Sequence, residues 1–234
     1  MKPATIHPPR RGAVAWNLSD YDQARRDFRW QTAAEELAGE SGFNIAALAI
    51  GRHARGLHAA KIALHWRGKH GDRRDITYAD LAAMVCRVGN ALRGLGVGRG
   101  DVVFAVCPRI PELHAAALGT LAIEAVFCPL FSSFGPDPIA TRVQAASGKV
   151  LVTTATLYAR RIAPIRQQLT TLRHVIVIDD GPGAPAGTLP WHQLVGSAAA
   201  DLAIPATSPE TLALLHFTSG TTGRPKAAMH VHGA

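Results

Sequence analysis

Between Val102 and Ile178 short apolar runs alternate with stretches of helical length, and this alternation restricts the fold more than any other feature of the 234 residues. Residues 102–106, 125–128, 150–153 and 174–178 are apolar at almost every position, without the in–out alternation of a strand that has one wet face. Such strands need cover on both sides. The intervening segments 111–121, 138–146 and 157–169, the last despite Pro164, have the composition of helices. Strand and helix in strict alternation, with short connections, predict an α/β fold: a mainly parallel sheet flanked by helices.

The segments on either side extend this plan. Residues 17–40, with Trp16 just before them, combine Tyr21, Phe28 and Trp30 with many charges and read as an irregular or helical flap anchored by these aromatics. A short helix is expected over 43–58 and a strand over 61–66. A Gly/Asp/Arg-rich turn over 68–74 then leads to a brief hairpin partner around Ile76 and Tyr78. Thr77 and Asp80 have the spacing of an acidic capping box, and Leu81, Met84, Val85, Val88, Leu92 and Leu95 recur at helical intervals behind them. Gly94, Gly96 and Gly98 supply the stop. The run 179–187, with Asp179 and Asp180 at its head, reads as a surface excursion. A short element over 189–200 and a buried strand over 212–217 follow. This gives an N-terminal extension with a first helix over 1–60 and a larger α/β portion over 61–234.

Composition narrows the class of function. The net charge of +8 is mostly arginine scattered along the chain, whereas nucleic-acid binding usually needs a concentrated basic stripe, so no nucleic-acid partner is expected. Cys86, Cys107 and Cys128 are too widely spaced for a compact zinc pattern and suit a reducing, cytoplasmic setting. No apolar core of a secretory signal precedes Trp16. The apolar run 115–134 is interrupted by Glu124 and Pro129 and reads as a helix followed by a buried strand rather than a membrane span.

The chemistry concentrates near residue 220. The strand over 212–217 feeds Thr218, Ser219, Gly220, Thr221, Thr222, Gly223, Arg224, Pro225 and Lys226. Hydroxyls and glycine backbone N–H groups can wrap an anion, and Lys226 adds a mobile positive charge. A Walker A loop needs lysine directly after its last glycine and then Ser or Thr, and neither condition is met. His230 and His232 alternate beyond the loop, but two histidines make no metal site alone.

This string resembles the signature loop of the adenylate-forming, AMP-binding superfamily. The likeness extends along the chain. Trp30, Phe43-Asn44-Ile45, Arg52-His53-Ala54, Thr77-Tyr78-Ala79-Asp80-Leu81, Gly98-Arg99-Gly100-Asp101, Pro108-Arg109-Ile110-Pro111-Glu112-Leu113 and Phe131-Ser132-Ser133-Phe134-Gly135-Pro136-Asp137 with Arg142 are similar to the acetyl-CoA and short- to medium-chain acyl-CoA synthetase branch. The resemblance implies the N-terminal portion of such a ligase, which joins a carboxylic acid to CoA using ATP and Mg²⁺ and releases AMP and pyrophosphate. It implies that Thr218, Ser219, Gly220, Thr221, Thr222, Gly223 and Lys226 clamp the ATP phosphates, and that Phe131, Ser132 and Ser133 lie near CoA. It places His230 and His232 beneath the acyl and nucleotide region. It also implies that the adenine-stacking and magnesium motif, the hinge and the C-terminal domain with the adenylating lysine lie beyond residue 234. The chain alone is then expected to be inactive, with a complementary C-terminal chain as a possible partner. The alternative is a non-catalytic fragment that binds nucleotide, CoA or a partner. Ala227 stands where the family usually has glycine, a restriction only if the backbone there needs a positive φ.

Overall fold

The computed structural model describes residues 20–38, 42–178, 183–218 and 225–234. They divide into two compact units, residues 1–37 and 38–234. Taken by itself, the first is helical over its described residues. Asp20 caps α1 (Tyr21–Asp27) by accepting the Gln23 N–H, and α2 (Trp30–Ala38) follows after the Phe28 and Trp30 rings meet edge-on, 4.9 Å between centroids. Trp16 lies outside the described residues.

The second unit opens on a buried polar hub. Asn44 is fully buried and caps α3 (Ile45–Ala49), its Oδ1 accepting the N–H groups of Ala46 and Ala47, while its Nδ2 donates to Leu121 O and Thr207 Oγ1. The helix expected over 43–58 is in fact this short α3 followed by two 3-10 turns, Gly51–His53 and Gly56–His58. Gly56 adopts φ +68, which no helix continues through. The hairpin forms, β1 (Ile62–Arg67) antiparallel to β2 (Arg73–Thr77), but its turn is shorter than expected: Arg73 and Arg74 are already paired in the ladder, and Tyr78 belongs to the next helix. Both halves of the capping box are present at the head of α4 (Tyr78–Gly94): Asp80 N–H donates to Thr77 Oγ1 and Thr77 N–H to Asp80 Oδ2. Leu81, Val85, Val88 and Leu92 are the buried face of that helix.

Strand and helix then alternate as far as β6, after which strands also follow one another: β3 (Val102–Val106), α5 (Pro111–Ala122), β4 (Val126–Leu130), α6 (Pro136–Ala145), β5 (Val150–Thr154), α7 (Ala155–Leu157), β6 (His174–Ile178), β7 (Leu189–Pro190), α8 (Trp191–Gly196), β8 (Leu212–Thr218) and β9 (Lys226–Val231). Among the described residues the sheet order is β7-β6-β5-β3-β4-β8-β9, parallel throughout except for β8 with β9. Every residue of β3 and β5 is buried. Phe104, Val106, Val126 and Cys128 pack with Ile139 and Val143 of α6, whereas Ala105 and Phe127 pack with Leu121 and Ala122 of α5. The helices after β3 and β4 therefore cover opposite faces. Where adjacent parallel strands send their chains to opposite faces, a crevice opens at their carboxyl ends, and open α/β sheets bind ligands there.

Two segments depart from the expected helices and strands. Residues 155–168 are not one helix but α7, a π turn Tyr158–Ile162 and a 3-10 stretch Ala163–Gln168; Pro164 lacks the N–H that an α-helical ladder would use. The return strand β9 was not anticipated. The run 115–134 does divide into the end of α5 and the buried β4, and no helix among the described residues is long and apolar enough to cross a membrane.

Candidate active site

The carboxyl ends of β3, β4 and β8 border a cleft of about 310 Å³, lined among others by Arg109, Phe131, Ser132, Phe134, His216 and Phe217. β4 pairs in parallel with β8, Phe127 opposite Leu214, and Phe131, just past the end of β4, lines the same cleft as Phe217, the residue before Thr218. The foot of the Ser/Thr/Gly loop and the segment after β4 thus share one edge of the sheet. Arg142 of α6 fastens them to each other. Its guanidinium carbon lies 4.5 Å from the Phe134 ring centroid and 5.7 Å from that of Phe217. The Phe134 ring also meets Phe131 edge-on at 5.2 Å. Phe131 keeps 68% of its surface exposed, an apolar platform on the rim that burial alone does not explain.

Thr218 and Lys226 are ladder partners across the mouth of the loop, and the Thr218 hydroxyl donates to Lys226 O over 3.4 Å. Both side chains are exposed. Ser219, Gly220, Thr221, Thr222 and Gly223 lie outside the described residues. Ser132 lines the cleft, whereas Ser133, the next residue, is exposed and is not among its lining residues. Ala227 pairs with Phe217 in the ladder and has no positive φ, so its methyl carries no backbone penalty.

The family profile of AMP-binding enzymes matches residues 52–234. The chain belongs to that family. It is 35% identical over 223 residues to an acetyl-coenzyme A synthetase of Bacillus subtilis, a match that takes in 93% of this chain and 38% of that protein. Among solved structures it resembles an acyl-CoA synthetase of Brucella canis with a TM-score of 0.75 at 30% identity, over 89% of this chain and 37% of that one. It also resembles an anthranilate CoA ligase in complex with anthranoyl-AMP, with a TM-score of 0.73 at 26% identity, over 80% and 35%. The chain therefore spans little more than a third of the length of the relatives it matches.

Within this portion of an AMP-binding enzyme, the two histidines after the loop differ in role. His230 is exposed on β9 and its ring meets that of His216, a cleft residue, edge-on at 5.4 Å. His232 is buried, and its Nδ1 accepts the Ile45 N–H over 3.1 Å, tying the end of β9 to the start of α3. Burial pushes its pKa down, and the negative charge of Glu124 only partly opposes this. An accepting Nδ1 fixes the neutral tautomer with its proton on Nε2, which is buried without a partner among the described residues. Among those residues no three His, Cys, Asp or Glu side chains gather as a metal site. Asp179 and Asp180 lie outside them. Sequence reasoning picked out no cleft role for Phe217, His216, Arg109 or Arg142. An arginine or aromatic residue at the carboxyl end of an apolar strand is the signal that marks Arg109, His216 and Phe217, whereas Arg142, inside α6, carries no such mark.

Proposed function

We propose that this chain forms the phosphate-holding part of an ATP-dependent acyl-CoA ligase acting on acetate or another short- or medium-chain acid. The observation that carries this reading is the pairing of Thr218 with Lys226 across the mouth of a Ser/Thr/Gly loop, next to the cleft that Phe217 and the exposed Phe131 line. The names of its relatives, an acetyl-coenzyme A synthetase and an acyl-CoA synthetase, support the choice of reaction. The reaction joins a carboxylate oxygen to the α-phosphorus of ATP with loss of pyrophosphate; the CoA thiol then displaces AMP to give the thioester.

Bound ATP supplies the leaving group. The protein's own share is to hold it. Lys226 offers a charge that neutralises departing phosphate oxygens, and the Thr218 hydroxyl offers a donor beside it. The described residues do not fit a metal on their own, so Mg²⁺ would be held by phosphate oxygens and by groups outside them. CoA fits better. Phe131 and Phe134 present aromatic surface, Ser132 a hydroxyl and Arg109 a positive charge in one cleft. Cys86 and Cys128, both free thiols, support a reducing cytoplasm as the setting. A complementary C-terminal segment or chain would supply the remaining groups, because catalysis needs them positioned together.

Titration of the purified chain with pyrophosphate and with ATP tests this directly. Saturable binding that weakens about tenfold in Lys226→Ala is expected, the loss of one charge-assisted contact. Binding indifferent to Lys226 would refute the reading. Carboxylate-dependent exchange of pyrophosphate into ATP by the chain alone should stay far below that of an intact ligase.

A further inference from the structure

Arg109 is an exposed cation in the cleft, and the surrounding structure keeps it available. It follows β3 and precedes α5, its carbonyl oxygen accepts the Trp66 indole N–H over 2.7 Å, and its side chain lines the cleft with Phe131 and Ser132. Among the described residues its guanidinium has no acidic partner. The carboxylate nearest to it in sequence is Glu112, in the first turn of α5. That carboxylate is already taken: Arg74 of β2 reaches it from the hairpin at 2.6 Å, with Glu112 only 15% exposed. Trp66 and Arg74 are themselves ladder partners in the β1–β2 hairpin. One hairpin therefore fixes the backbone at Arg109 with one residue and occupies the neighbouring carboxylate with the next strand's residue.

We infer that Arg109 is a binding residue for a phosphate group of CoA, and that Arg74 is a positioning residue which keeps Glu112 from neutralising it. This rests on the reading of the cleft as a CoA site. An exposed guanidinium with no acidic partner among the described residues is a ready fork for phosphate oxygens, and its neighbours suit the uncharged remainder of such a ligand: a rim phenylalanine for a flat ring and a serine hydroxyl for an amide. Losing Arg74 would free Glu112 to pair with Arg109 instead, removing the charge from the ligand without removing it from the protein.

The test is CoA binding by the full chain, followed by calorimetry or NMR, with pantetheine, which carries no phosphate, as the neutral probe. Arg109→Gln and Arg74→Gln are each expected to weaken CoA about fivefold, the scale of one exposed charge pair, and to leave pantetheine unchanged. The double variant Arg74→Gln/Glu112→Gln is expected to recover wild-type CoA affinity within about twofold, because no carboxylate remains to compete. A hairpin that merely supports the fold gives a different pattern: Arg74→Gln weakens both probes alike and Glu112→Gln rescues neither. That pattern overturns the inference, as does Arg109→Gln binding CoA like wild type. A chain that binds pyrophosphate through Lys226 but takes up no CoA also overturns it while leaving the phosphate-loop reading standing.

Discussion

Replacing Gly119 with alanine should destabilise the protein, although alanine is the better helix former. A Cβ added at Gly119 in α5 would lie 2.5 Å from Val88 Cγ1, 2.6 Å from Val88 Cβ and 3.0 Å from the Val85 carbonyl oxygen, all on α4. These are not the far ends of flexible side chains. Val88 is 3% exposed, and a β-branched residue in a helix has one favoured rotamer, so relief requires the two helices to move apart. Overpacking of this kind costs about 1–3 kcal/mol, against a propensity gain of about 1 kcal/mol for Gly to Ala. The net expectation is a loss of up to about 2 kcal/mol. Gly94, the last residue of α4, has nothing within 4 Å of its added Cβ and no positive φ, so the same substitution there should gain about 0.5 kcal/mol. Equilibrium urea unfolding of both variants beside the wild type reads the two signs in one experiment. If Gly119→Ala unfolds at or above the wild-type midpoint, the close approach of α4 and α5 is not what holds that glycine in place.

Three further outcomes follow from particular contacts. His232 has a lowered pKa, so it favours the neutral form in the fold; its contribution is complete above 6.5, its ordinary value, and is lost as pH falls below that, because the unfolded chain takes the proton first. The stability advantage of wild type over His232→Asn should thus shrink between pH 8 and pH 5, and a constant difference across that range would contradict the burial of a neutral imidazole. Thr77→Ala removes the cap and half of the box at the head of α4 and should cost about 1 kcal/mol in the same urea assay. Burial pushes the Cys128 thiol up to about 12, with Arg142 opposing only in part, whereas Cys86 is partly exposed. A thiol reagent at pH 8 should label Cys86 first and reach Cys128 only on unfolding, as peptide mapping would record.

What could be read in advance was whatever depends on neighbours in sequence. The limits of β3 and β6 follow from the apolar runs themselves, and the capping box from the spacing of Thr77 and Asp80. Helix α6 begins at Pro136 rather than at 138, since proline suits the first turn, where the missing N–H costs nothing. Contacts between residues far apart in sequence left no such trace. Nothing in the alternation of residues 226–231, all but the last exposed, announces a strand whose partner is β8. The Asn44 hub, the tie from His232 to Ile45 and the grip of Trp66 and Arg74 on the start of α5 each join segments that only the finished sheet brings together. The nine-residue loop motif named the family; the cleft beside it needed the topology.

The ladder between β8 and β9 also works as a ruler. One end of β9 is pinned where the His232 N–H donates to Thr211 O and its ring accepts from Ile45; the other end carries Lys226 opposite Thr218. Loop closure entropy changes slowly with length, so extra residues between Thr218 and Lys226 would add only about half a kcal/mol per doubling. An extra residue inside β9 is another matter. Because side chains alternate faces, a slip of one position would swing Lys226 to the far side of the sheet while leaving its charge and every hydroxyl of the loop in the chain. Length variation is therefore tolerable between Thr218 and Lys226 and excluded from the strand that sets the side of the sheet on which Lys226 stands.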